Sequence, residues 1–221
     1  MKQNKTISKH FKWLKSSEQQ KLKQLLLMKS AMIYEQSENW HDAAECWKDL
    51  GQYVRASNLY QKNNNNEAAA NQLLDAGQYE DAFVHLKKWE EEIQQNDHLN
   101  RFKLRLSMAA CHFLGTKNHA NTTFSRQSGK AFYNEARKIL STIKQEDHTK
   151  TNPFMIALAE YGRRMQRFDL IQEGYENIVE NIDSGHASTN EIQELMAYQQ
   201  AAAAFHDELM LQKLKLKNTQ E

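Results

Sequence analysis

Apolar residues along this chain recur at intervals of three and four. From Trp40 the pattern repeats in steps of 13: WHDAAECWKDLGQ (40–52), YVRASNLYQKNNN (53–65), NEAAANQLLDAGQ (66–78) and YEDAFVHLKKWEE (79–91). The fourth position is always Ala (Ala43, Ala56, Ala69, Ala82), and the eighth is large and apolar (Trp47, Tyr60, Leu73, Leu86). The first is aromatic in three units (Trp40, Tyr53, Tyr79), and Gly51 and Gly77 close alternate units, so the full period is 26 residues in two halves. These offsets share one face of a 3.6-residue helix. A helix of about ten residues and a three-residue turn fill each unit, with glycine past the helix end as a left-handed cap. The small Ala admits a neighbouring helix closely, and the aromatic and Leu side chains fill the space around it. Helices this short are marginal alone in water, so each must be held by its neighbours.

The later chain keeps the face without the strict period: Tyr133, Ala136, Leu140, Ile143; then Phe168, Ile171, Tyr175, Ile178; then Leu195, Tyr198, Ala202, Phe205. The spacing predicts helices near 17–35, 40–50, 53–62, 66–76, 79–95, 98–114, 129–145, 153–166, 168–182 and 190–216. Loops are expected near 115–129, 146–152 and 183–189. Pro153 suits a first helical turn capped by Thr151 or Asn152, and Thr189 or Asn190 would cap the last helix. The expected fold is all-α, a right-handed α-solenoid of antiparallel helix pairs with nine or ten helices. Residues 1–36 form a basic arm and capping helix, 37–95 the short-period repeats, and 96–221 further pairs of the same solenoid.

The blocks Trp40–Ala44, Gly51–Ala56 and Gly77–Ala82 resemble tetratricopeptide-type helical repeats. Their short period is most similar to variants in intraflagellar-transport subunits, soluble NSF attachment proteins and helicase tails. Leu158–Val179, with Gly162, Phe168 and Tyr175, resembles a more ordinary 34-residue repeat. The chain departs from the pattern in its Asn63–Asn66 run, which replaces a Gly turn, and in lacking a repeat-ending Pro. The resemblance implies an α-solenoid that binds other proteins; it implies no particular partner.

Composition narrows the alternatives. Seven glycines and one proline among 221 residues are too few to turn a sheet repeatedly, so an all-β fold is excluded and a Gly-rich phosphate loop is disfavoured. The longest apolar run, Leu25–Met28, stops at Lys29, far short of a membrane span. Cys46 and Cys111 fall within helical patterns, and the N-terminus lacks a secretory signal, so a reducing, cytoplasmic setting is expected.

Catalytic motifs are absent: no GxxxxGK[ST], GxGxxG, GxSxG, CxxC or HExxH. His41-Asp42 and His206-Asp207-Glu208 are adjacent in sequence and so diverge by about 100° on a helix, unlike the i, i+4 pair of a zinc site. Cys111-His112 lies in an apolar helix and reads as core. The aromatic ladder Trp40, Trp47, Tyr53, Tyr60, Tyr79 could stack nucleotides, but its spacing is the packing period and core is the better reading. No catalytic residue, metal or cofactor is therefore expected.

Charge supplies the remaining candidates. The chain carries 29 Lys+Arg against 28 Asp+Glu, yet residues 1–30 hold eight lysines and one acid, Glu18. Within this arm Ile7, Phe11 and Leu14 share a face, and Lys5, Lys9, Lys12, Trp13 and Lys15 are candidate contacts for a partner or polyanion. The arm reads as a solenoid cap, a contact for an acidic protein, or a weak polyanion contact with lipid or nucleic acid. An organelle transit peptide is a further reading, though Arg and Ser would be more typical than Lys. The expected loop Thr116–Lys130 adds Lys117, Arg126 and Lys130 as candidate contacts, with a plain mobile loop as the simpler reading. The leading expectation is a non-catalytic interaction scaffold or adaptor subunit that binds protein partners within a complex. The alternative is a nucleic-acid- or membrane-associated regulator that uses the basic arm.

Overall fold

The computed structural model describes residues 16–118 and 124–183. Among these residues the ordered structure is entirely helical: α1 (Ser16–Gln36), α2 (Trp40–Asp49), α3 (Tyr53–Lys62), α4 (Asn66–Asp75), α5 (Tyr79–Glu92), α6 (His98–Asn118), α7 (Arg126–Glu146), a 3₁₀ turn (His148–Thr151), α8 (Asn152–Met165) and α9 (Phe168–Asp183). The all-α expectation holds. The arm at 1–15, residues 184–189 of an expected loop and the expected helix at 190–216 lie outside the described residues.

The 13-residue step has a backbone cause. Glu38, Gly51, Asn64 and Gly77, each 13 residues from the next, all adopt left-handed φ values of 57°, 71°, 55° and 76°. The N–H of each following residue then reaches back five positions. Asn39 donates to the Tyr34 carbonyl (2.9 Å), Gln52 to Trp47 (2.8 Å), Asn65 to Tyr60 (2.9 Å) and Gln78 to Leu73 (2.9 Å). This closes each helix as a Schellman motif. The same following residue begins the next helix: Asn39 and Asn65 cap α2 and α4 by accepting from the N–H groups of Asp42 and Ala68. A single residue thus ends one helix and starts its neighbour. The joint at 37–39 also reveals a copy upstream of the expected array, with Tyr34 in the eighth position.

The chain divides into two compact units, Met1–His85 and Leu86–Glu221, with the division inside α5. In the first, α1 packs on α2, α2 on α3 and α3 on α4. All four register alanines, Ala43, Ala56, Ala69 and Ala82, are fully buried, and so are the eighth-position residues apart from slivers of surface. Ala31, Ala44 and Leu59 join Ala43, Ala56, Ala69, Trp47 and Tyr60 in one core, with Tyr34, Trp40 and Leu50 packed at its edge.

In the second unit α6 packs on α7 and α8, and α8 on α9. Phe102 of α6 meets Phe154 of α8 edge-on, with ring centres 5.3 Å apart. Gly174 lets α9 lie against α8, since a Cβ there would stand 2.6 Å from the Met155 carbonyl oxygen. Arg105 of α6 is held between acids, donating to Glu90 of α5 (2.6 Å) and Glu135 of α7 (2.8 Å).

Three boundaries are corrected. The expected loop at 115–129 is helical at both ends: α6 runs on to Asn118, and Ser125 caps α7 by accepting from the Ser128 N–H. Gly129, the last residue of that expected loop, sits inside α7 where a Cβ would crowd His112 and Phe113. Helix α5 ends at Glu92, short of 95; Asp97 then accepts from the Asn100 N–H (3.1 Å) at the start of α6. Finally, the expected loop at 146–152 is mostly a 3₁₀ turn leading into α8. Thr151 stands at the N-cap position, but its hydroxyl donates instead to Asn177 Oδ1 of α9 (2.9 Å).

Ala56 has no room for a larger side chain. Replacing it with Leu should overpack the core and cost about 1–3 kcal/mol, read as a lower midpoint in urea denaturation. An unchanged midpoint would place that position outside the packed face.

Candidate functional site

Two carboxylates among the described residues of the first unit hold helices together. Glu35 of α1 accepts from the Trp47 indole Nε1 of α2 (2.5 Å) and from Arg55 Nη2 of α3 (2.9 Å). The Arg55 guanidinium also lies 3.8 Å from the Trp47 ring centre. One carboxylate therefore fixes three helices. Burial alone would raise its pKa, but the bonds from Arg55 and Trp47 prevail and hold it below the usual carboxylate range. Glu45 similarly accepts from Tyr60 and Lys48.

This disposes of the stacking ladder at its centre. Trp47 and Tyr60 are buried, and the Trp40 ring is approached by the Lys62 ammonium at 4.5 Å. Tyr53 and Tyr79 are half-buried at the helix starts. The aromatic spacing serves packing.

Cys111 and His112 are both buried. Burial pushes the Cys111 thiol up to about 12, so it carries almost no thiolate near neutral pH. His112 Nδ1 accepts from the Ser125 N–H (3.1 Å), and its ring lies 5.0 Å from Phe124 and 5.5 Å from Phe132. It pins the start of α7 to α6. Among the described residues no three His, Cys, Asp or Glu side chains gather as a metal site, and no helix is long and apolar enough to cross a membrane.

The candidate contacts Lys117, Arg126 and Lys130 fall on helices rather than in a loop. Lys117 sits in the last turn of α6, where a cation complements the helix dipole. Arg126 opens α7 and Lys130 follows one turn later; all three side chains are exposed. Lys5, Lys9, Lys12, Trp13 and Lys15 lie outside the described residues.

A different surface emerges on α1. Only Ala31 of this long helix is buried, although the helix also carries Leu22, Leu25, Leu26, Leu27, Met28, Met32, Ile33 and Tyr34. Leu25, Met28 and Met32 form an exposed stripe at i, i+3, i+7 spacing, and Leu26 and Ile33 lie beside it. Leu25 and Met28 meet Trp47 and Leu50 in an open groove of about 420 Å³, also lined by Gln24 and Gln52. The signal was present in the sequence: a helix apolar around most of its circumference needs cover on more than one side. The run Leu25–Met28, too short for a membrane span, is part of that excess.

Comparison with protein-family models, with curated proteins and with solved structures returns no match.

The geometry of His112 sets a pH dependence. Burial lowers its pKa below 6.5 in the folded chain, so only the unfolded chain binds a proton as pH falls through 6.5. This contribution to stability is present above that pH and is lost progressively below it. Urea melts across that range should show His112→Gln losing less stability on acidification than the parent chain. Equal losses would show that His112 is not the titrating group.

Proposed function

We propose that this chain is a non-catalytic protein–protein interaction scaffold or adaptor subunit of the cytoplasm. Its short helices would stack as a right-handed α-solenoid of antiparallel pairs, of the tetratricopeptide-like kind that the 13-residue blocks resemble. The observation that carries this reading is the contrast on α1–α3. Side chains with chemical potential, Trp47, Tyr60, Glu35 and Arg55, are committed to tying helices together, while large apolar side chains on α1 remain exposed. Contiguous exposed apolar surface beside a groove is the usual mark of a binding surface.

A second reading has its own observation. Eight lysines against one acid within residues 1–30 favour a nucleic-acid- or membrane-associated regulator whose arm supplies affinity.

One experiment separates them. Tagged full-length chain, and a version lacking residues 1–15, are expressed in the native host and purified with nuclease treatment. The scaffold reading expects a discrete protein partner in fixed proportion to the full-length chain, retained after nuclease and salt washing. Partner loss on nuclease treatment, with heparin retention that falls steeply in the truncated chain, would favour the arm-based reading instead.

A further inference from the structure

We propose that the outward face of α1, with the groove it forms against α2, is the docking site for an acidic amphipathic helix of a partner protein. This deepens the scaffold reading and rests on it. Leu25, Met28 and Met32 are 44%, 40% and 50% exposed, in a stripe long enough to take the apolar ridge of one helix. Two of the three are methionines, whose unbranched side chains reshape around an incoming surface. Behind the stripe, Trp47 and Leu50 floor the groove. A ridge of side chains fills such a groove; a flat bilayer surface does not.

Charge selects the occupant. Lys21 and Lys29 lie one turn either side of Leu25, on the same stripe, and both are exposed. Of the acids on α1, Glu35 is turned inward to Trp47 and Arg55, and Glu18 stands at the far N-terminal end. A partner presenting Asp and Glu beside its apolar anchors therefore gains attraction at Lys21 and Lys29. A second copy of the chain would not: in a symmetric α1–α1 contact centred on Met28, Lys29 would meet the Lys29 of the other copy.

The test uses the full chain and two labelled peptides of about five turns. Both carry Leu on the apolar face; one bears Glu on the polar face and its twin bears Lys. Fluorescence anisotropy should show the Glu peptide binding and the Lys peptide failing. Met28→Glu combined with Met32→Glu should weaken the Glu peptide about tenfold or more. Met28 and Met32 keep 40% and 50% of their surface exposed, so circular dichroism should still show a folded helical chain. Lys21→Glu combined with Lys29→Glu should reverse the preference towards the Lys peptide, a result that misfolding would not produce.

Equal binding of the two peptides, or Glu-peptide affinity indifferent to these substitutions, would overturn the proposal. So would binding to phosphatidylserine vesicles that the Glu peptide cannot displace, which would assign the face to a bilayer. Self-association abolished by Met32→Glu, without peptide binding, would assign it to a second copy. A stable native partner whose capture ignores all four substitutions would remove this site and leave the scaffold reading intact. Absence of any protein partner would remove that reading as well.

Discussion

A left-handed residue at every thirteenth position is the constraint on which the first unit rests. Helices here do not stop for want of helix-forming residues; they stop because Glu38, Gly51, Asn64 and Gly77 turn the backbone to positive φ. That turn lets the next N–H bond five residues back, satisfying a carbonyl that the helix end would leave open. The joint is three residues long whatever its side chains. Its fixed length puts Ala43, Ala56, Ala69 and Ala82 at one recurring place, and their full burial follows.

Short helices joined this tightly bury one side well and have little length with which to bury another. Side-chain ties compensate where several helices meet: Glu35 gathers Trp47 and Arg55, and in the second unit Arg105 gathers Glu90 and Glu135. The cost of losing a partner falls mainly on the less exposed charged member of each set, Arg105 at 19% exposure and Glu35 at 26%. The first helix has a described neighbour along only part of its circumference. Its apolar excess is therefore a face that its described neighbours leave exposed.

The repeat was legible because its signal is redundant: Ala and a bulky apolar residue recur at fixed offsets, and α3 at 53–62 follows directly from them. Joints carried by Gly51 and Gly77 were equally plain. The copy ending at Asn39 was not, because Ser30 stands where Ala is expected and Glu38 where Gly is expected. The region 115–129 misled for a related reason. Gly115, Ser125 and Gly129 look like loop residues, yet Ser125 caps a helix, Gly115 makes room for the Phe124 ring and Gly129 for the close approach of α6 to α7. The candidate surface on α1 was the least legible, since an apolar run shows only that cover is needed, whereas exposure depends on which neighbours arrive.

The joint itself can be tested with two substitutions and one thermal melt. Glu38→Gly removes the cost of holding a side chain at φ 57°, and should stabilise the chain by about 0.5–1 kcal/mol. Gly51→Ala imposes that cost at φ 71° and should destabilise it by a similar amount, about 1 kcal/mol. Shifts in melting temperature of opposite sign are the expected result. Destabilisation by both substitutions would contradict the account, because Glu38 would then be holding its helix end by something other than the left-handed joint.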